Sequence, residues 1–85
     1  MNKIEIYTKN ICSFCDKAKI FFKSKKLNFI EYNIDKDINF LDSMLKKSKG
    51  QQTVPQIFIN DNHIGGFDKL KIIINNGKFD KMINS

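Results

Sequence analysis

Ile11-Cys12-Ser13-Phe14-Cys15-Asp16 holds the only two cysteines of the chain, spaced C-x-x-C. The stretch stands where an alternating run, Lys3-Ile4-Glu5-Ile6-Tyr7, gives way to helical periodicity at Ala18, Phe21 and Phe22. A strand that runs out into a loop and feeds a helix places Cys12 at or beside the helix N-cap. There the unpaired backbone N–H groups and the positive end of the helix dipole point at its sulfur. They favour thiolate over thiol, and the thiolate is the reacting species. Cys15 lies in the same first turn, on nearly the same side. It can donate a hydrogen bond to the Cys12 thiolate or attack a mixed disulfide formed there. The spacing suits thiol–disulfide exchange.

Other readings compete. Tetrahedral zinc wants four ligands, and His63 is the only further ligand of the usual Cys or His type. A purely structural disulfide across so short a loop removes little entropy from the unfolded chain. Two inert buried thiols stay open from spacing alone. C-x-x-C beside a βαβ pattern is only moderately specific, so the remainder of the chain must decide.

With 85 residues, the length fits one domain over residues 1–85. Hydrophobic residues at 41% and charged residues at 28% fit a soluble globular protein. No apolar run approaches the roughly 20 residues that span a bilayer. The chain enters a strand directly, without a hydrophobic signal region, and one C-x-x-C pair favours a reducing compartment. The expected location is cytoplasmic. A net charge of +6 invites a nucleic-acid reading. However, the lysines are scattered and arginine, the usual residue for bidentate base readout, is absent. No specific nucleic-acid partner is expected.

Lys9 lies in the loop that delivers Cys12, and by position alone it is a solvated loop charge. The helix from Ser13 to about Lys25 turns lysines outward, and Phe14 stands at the exposed tip of its first turn. Asn28–Ile34 reads as a second strand, parallel to the first across a βαβ unit. Asp35-Lys36-Asp37 then supplies a polar turn with a candidate N-cap. A helix bearing Ile38, Leu41, Met44 and Leu45 follows, ending where Gly50 can take a left-handed conformation. Pro55, the only proline, precedes the strand Gln56–Asn60, and base rates alone make it an ordinary trans strand start. Asp61-Asn62 reads as a hairpin turn and His63-Ile64-Gly65 as a short return strand, with His63 an edge-strand residue. Phe67-Asp68 opens a third helix carrying Leu70, Ile73 and Ile74. Asn76-Gly77 ends it, before a last short helix with Phe79, Met82 and Ile83.

The order is β-α-β-α-β-β-α, with C-x-x-C after the first strand and proline before the third. With Tyr7-Thr8-Lys9, Cys12-Ser13-Phe14-Cys15, Thr53-Val54-Pro55-Gln56-Ile57-Phe58-Ile59 and His63-Ile64-Gly65-Gly66-Phe67-Asp68, the chain closely resembles the short bacterial-type dithiol glutaredoxins. The likeness runs from about residue 3 to residue 83. It implies an α/β, thioredoxin-like fold with a four-stranded mixed sheet flanked by helices and a short C-terminal helix. It also implies a cis Val54–Pro55 bond and a ligand-binding Lys9, against the positional readings above.

The resemblance further implies glutathione as co-substrate, in a groove across the end of the sheet. Cys12 would bond to its sulfur and Val54, ahead of Pro55, would pair with its backbone. The amides of Gly66, Phe67 and Asp68 would hold the γ-glutamyl carboxylate. Asp68 would meet the ammonium group and Lys9 the glycyl carboxylate, while Thr53 and Phe14 line the groove. The implied activity is glutathione-dependent reduction of protein disulfides and glutathione mixed disulfides through Cys12 and Cys15, by a monomer. Four positions depart from the family pattern. Ser13-Phe14 replaces the commoner Pro-Tyr of C-P-Y-C, Phe67 stands where many bacterial relatives have cysteine, and Lys69 where they often have an acid. Because some C-S-x-C members bind a [2Fe–2S] cluster between two subunits, a cluster carrier ligated by Cys12 and glutathione is the alternative. No other metal site is expected.

Overall fold

Alternation along Ile4–Thr8 (β1) gives the sheet two cores, in a computed structural model that describes residues 2–84. Ile4 and Ile6 join one core and Tyr7 the other. The remaining elements are α1 (Ser13–Ser24), β2 (Ile30–Asn33), α2 (Ile38–Lys47), β3 (Gln56–Ile59), β4 (Asn62–Gly65), α3 (Phe67–Asn75) and α4 (Lys78–Asn84). The strands lie in the order β2-β1-β3-β4. β1 runs parallel to β2, with Glu5 opposite Ile30, and antiparallel to β3, with Ile6 opposite Ile57. β3 and β4 form an antiparallel hairpin. This is the expected thioredoxin-like architecture.

One core combines Ile4, Ile6, Ile57 and Ile59 of the sheet with Ala18 and Phe22 of α1, Leu70 of α3 and Phe79 of α4. The apolar positions of α1 recur every three or four residues, so they form one stripe that closes on these strands. On the other side Tyr7 and Phe58 meet Met44 of α2. That side also holds Glu5, whose carboxylate accepts hydrogen bonds from Tyr32 Oη at 3.0 Å and Lys47 Nζ at 3.3 Å. A buried carboxylate is tolerable only when so paired. Burial raises the Tyr32 phenol above its ordinary value, and its hydrogen bond to Glu5 and the Glu5 charge add to the effect.

Element boundaries differ from the expectations in ways the backbone explains. β2 spans Ile30–Asn33, shorter than residues 28–34, because pairing with β1 begins at Ile30. The hairpin turn is Asn60-Asp61, one residue earlier than expected. Both have positive φ, 50° and 68°, as a two-residue hairpin turn matched to strand twist requires. Asn62 therefore belongs to β4 and Asn60 falls outside β3. At the end of α2, Lys49 as well as Gly50 is left-handed, and the Gly50 N–H reaches back to the Leu45 carbonyl at 2.7 Å. Asp37 caps the start of α2 by accepting from the Asn39 N–H.

Candidate functional site

Cys12 is the N-cap of α1, and its Sγ accepts the Cys15 backbone N–H at 3.1 Å. The two cysteines are joined as a disulfide, with 5.2 Å between their Cα atoms. They are not equivalent, since Cys15 is 1% exposed while Cys12 is half-buried. Of the two, Cys12 is the more accessible. The loop that carries it is braced. The Asn10 N–H donates to Asp35 at 2.9 Å, and Asn33 Nδ2 donates to Asn10 Oδ1 at 2.9 Å. Just before this loop, Thr8 donates to Glu31 at 2.6 Å and Lys19 of α1 reaches the same carboxylate at 3.1 Å. Burial pushes the Glu31 carboxyl up, but the hydrogen bonds from Thr8 and Lys19, with the charges of Lys19 and Lys36, outweigh it. The carboxyl is held below its ordinary value.

Beside Cys12 opens a cleft of about 230 Å³ lined by Phe14, Thr53, Val54, Pro55, Gly66, Phe67 and Asp68. Cys12 stands at its edge, with Sγ 3.9 Å from the Val54 carbonyl oxygen. The Val54–Pro55 bond is cis. Phe14, 54% exposed, stacks on Phe67 with ring centroids 6.1 Å apart, so an aromatic pair walls one side. Lys17 lies over the Phe14 ring and Lys71 over the Phe67 ring. The N-terminus of α3 also faces the cleft, and Gly66, its N-cap, makes no side-chain cap. A Cβ at Gly66 would come within 3.2 Å of Asp68 Oδ1 and 3.6 Å of the Pro55 carbonyl. Free N–H groups at a helix start attract an anionic group.

Seven of the eight ligand-binding candidates thus converge on one cleft. Lys9 does not line it. It is exposed on the neighbouring loop and has no ion pair among the described residues. Sequence reading missed Gln56, which is 1% exposed behind Thr53 and bonds to both Thr53 and His63. The signal was present, because an amide inside an otherwise apolar strand must find partners. His63 is on the edge strand as expected, stacked on Phe58 with centroids 4.9 Å apart. Burial, with the nearby Lys49 charge, holds its imidazole below the ordinary value.

Comparison with known proteins follows the same line. The glutaredoxin family model matches residues 4–64. Glutaredoxin 3 of Escherichia coli strain K12 is 42% identical over 83 residues, which cover 98% of this chain and 99% of that protein. Among solved structures, glutaredoxin 1 from Francisella tularensis, complexed with cacodylate, is 37% identical over the whole of both chains, with a TM-score of 0.73. A buckwheat glutaredoxin–glutathione complex has a TM-score of 0.86 at 26% identity, covering 98% of this chain and 77% of that one.

Proposed function

This chain belongs to the glutaredoxin family, a family of thiol–disulfide oxidoreductases, and on that premise we propose that glutathione is its reductant and that Cys12 is its nucleophile. The observation that carries the reading is the asymmetry of the sulfurs at the cleft: Cys12 is accessible at its edge, and Cys15 is buried behind it. The likeness to a buckwheat protein solved with glutathione supports the choice of thiol.

The Cys12 thiolate attacks the glutathione sulfur of a protein–glutathione mixed disulfide. A Cys12–glutathione disulfide forms and the protein thiolate leaves, taking up a proton. A second glutathione thiolate attacks the glutathione sulfur bound to Cys12. Glutathione disulfide departs and Cys12 is free again. With a protein disulfide, Cys12 forms a mixed disulfide with one substrate sulfur. Cys15 then attacks Cys12, releases the reduced protein, and leaves the Cys12–Cys15 disulfide for two glutathiones to reduce. The Cys15 N–H and the start of α1 stabilise the thiolate of Cys12 each time it is released.

In the cleft, Val54 pairs with the tripeptide backbone while Pro55, Thr53 and the Phe14–Phe67 rings line its path. The N–H groups at Gly66, Phe67 and Asp68 take the γ-glutamyl carboxylate and the Asp68 carboxylate takes the ammonium. Lys9 attracts the glycyl carboxylate from outside the lining. The protein acts as one monomeric domain on small and protein-bound disulfides. Among the described residues no helix is long and apolar enough to cross a membrane.

The residues of one chain do not fit a [2Fe–2S] cluster. Among the described residues no group of three or more Cys, His, Asp or Glu can hold a metal, and Cys15 is buried. A carrier role would need ligands from a second chain and from glutathione. The test is turnover of a glutathionylated peptide with glutathione as the only reductant. Turnover by colourless protein is the expected result. An inactive wild type that purifies anaerobically with visible absorbance would replace the oxidoreductase with the carrier.

A further inference from the structure

Behind the cleft wall, Gln56 Nε2 donates to the Thr53 carbonyl at 2.9 Å, and also lies 3.2 Å from Thr53 Oγ1 and 3.3 Å from Gln51 Oε1. A carbonyl oxygen can only accept, so the amide nitrogen must face Thr53. Gln56 Oε1 is thereby turned toward His63 Nε2, 2.7 Å away. An amide oxygen also only accepts, so His63 carries a proton on Nε2. A second proton would go to Nδ1 and leave this hydrogen bond in place.

We propose that Gln56, oriented by His63, is the positioning residue that turns the Val54 N–H away from the protein interior for the ligand in the cleft. The inference rests on the glutathione reading above. In a trans peptide the C=O and N–H point in opposite directions. Val54–Pro55 is the only cis bond among the described residues, so the Thr53–Val54 peptide is trans. Holding the Thr53 carbonyl on Gln56 therefore points the Val54 N–H away from Gln56, and Val54 lines the cleft. A flipped amide would set its oxygen against the Thr53 carbonyl, and the hydrogen bond from His63 Nε2–H to Oε1 holds the unflipped amide from its other end. His63 is itself held in place by stacking on Phe58. An edge-strand residue thus fixes a main-chain group in the cleft through one buried side chain.

The test compares wild type with Gln56→Leu and with His63→Phe, the second keeping a ring on Phe58 if the buried change prevents folding. Turnover of a glutathionylated peptide is measured beside the pH profile of Cys12 alkylation by iodoacetamide, a reagent too small to need the cleft. Loss of a buried hydrogen bond predicts a KM for the peptide raised roughly five- to tenfold in both variants, with kcat and the alkylation profile held within about twofold. A KM within about twofold of wild type in either folded variant overturns the proposal. A wild type that alkylates readily but does not turn over the peptide overturns the glutathione reading itself, and with it this inference. Because that failure is read on the unmutated protein, the two failures are distinct.

Discussion

The backbone N–H of Cys15 donates to Cys12 Sγ across 3.1 Å, so the proposed nucleophile has a main-chain donor. Cys15→Ser keeps that donor. The variant is expected to retain turnover of a glutathionylated peptide while losing the resolving step on a protein disulfide. Side-by-side assays of the two substrates check this, and equal loss of both would count against the assigned roles.

Asp68 should matter for affinity rather than for sulfur chemistry. Asp68→Asn removes the charge opposed to the substrate ammonium, and KM for the glutathionylated peptide is expected to rise about five- to tenfold. Asp80→Asn, on α4, serves as the control and should leave KM alone. Lys9 stands outside the lining, so Lys9→Ala should raise KM at low ionic strength and converge on wild type as salt is added.

His63 and Glu31 are among the groups that make the fold acid-sensitive. Burial, with the Lys49 charge, lowers His63 from its ordinary value of 6.5. Below that value the unfolded chain binds a proton more readily than the folded one. The His63 contribution is therefore complete above 6.5 and is lost as pH falls through the depressed folded value. Glu31 is lowered from 4.5, so its contribution is complete above 4.5 and is lost in stronger acid, through its own folded value. Urea midpoints measured downward from pH 8 should fall in two stages, and His63→Phe should flatten the first. An unchanged first stage in that variant would remove His63 as its source.

Two of the three aromatic residues of α1, Phe22 and Phe14, separate core from cleft. Phe22 is fully buried, and Phe22→Ala is expected to cost about 3–5 kcal/mol by denaturant unfolding. Phe14 is 54% exposed, and Phe14→Ala should leave stability nearly unchanged while weakening substrate binding. The reverse pattern would contradict the placement of both rings.

Much of this is legible in the sequence. The period of the apolar residues placed α1, and the change of period at Cys12 located the cap, because both depend on local spacing. The cleft was legible only through family likeness, since Phe14, Thr53 and Asp68 lie far apart in the chain and are brought together by the sheet order. The turn at Asn60-Asp61 was misplaced by one residue because asparagine and aspartate on both sides tolerate left-handed backbone equally. Gln56 was passed over because strand alternation says which side it faces, not which carbonyl it will meet.

The most direct test traps the first covalent intermediate. Cys15→Ser and Cys12→Ser, each reduced and then exposed to glutathione disulfide, are examined by intact and peptide mass spectrometry. One glutathione is expected on Cys15→Ser, attached at Cys12, and none on Cys12→Ser. Glutathione on Cys15 of the Cys12→Ser protein, or none on either variant, would contradict the assignment of Cys12 as the nucleophile at a glutathione-binding cleft.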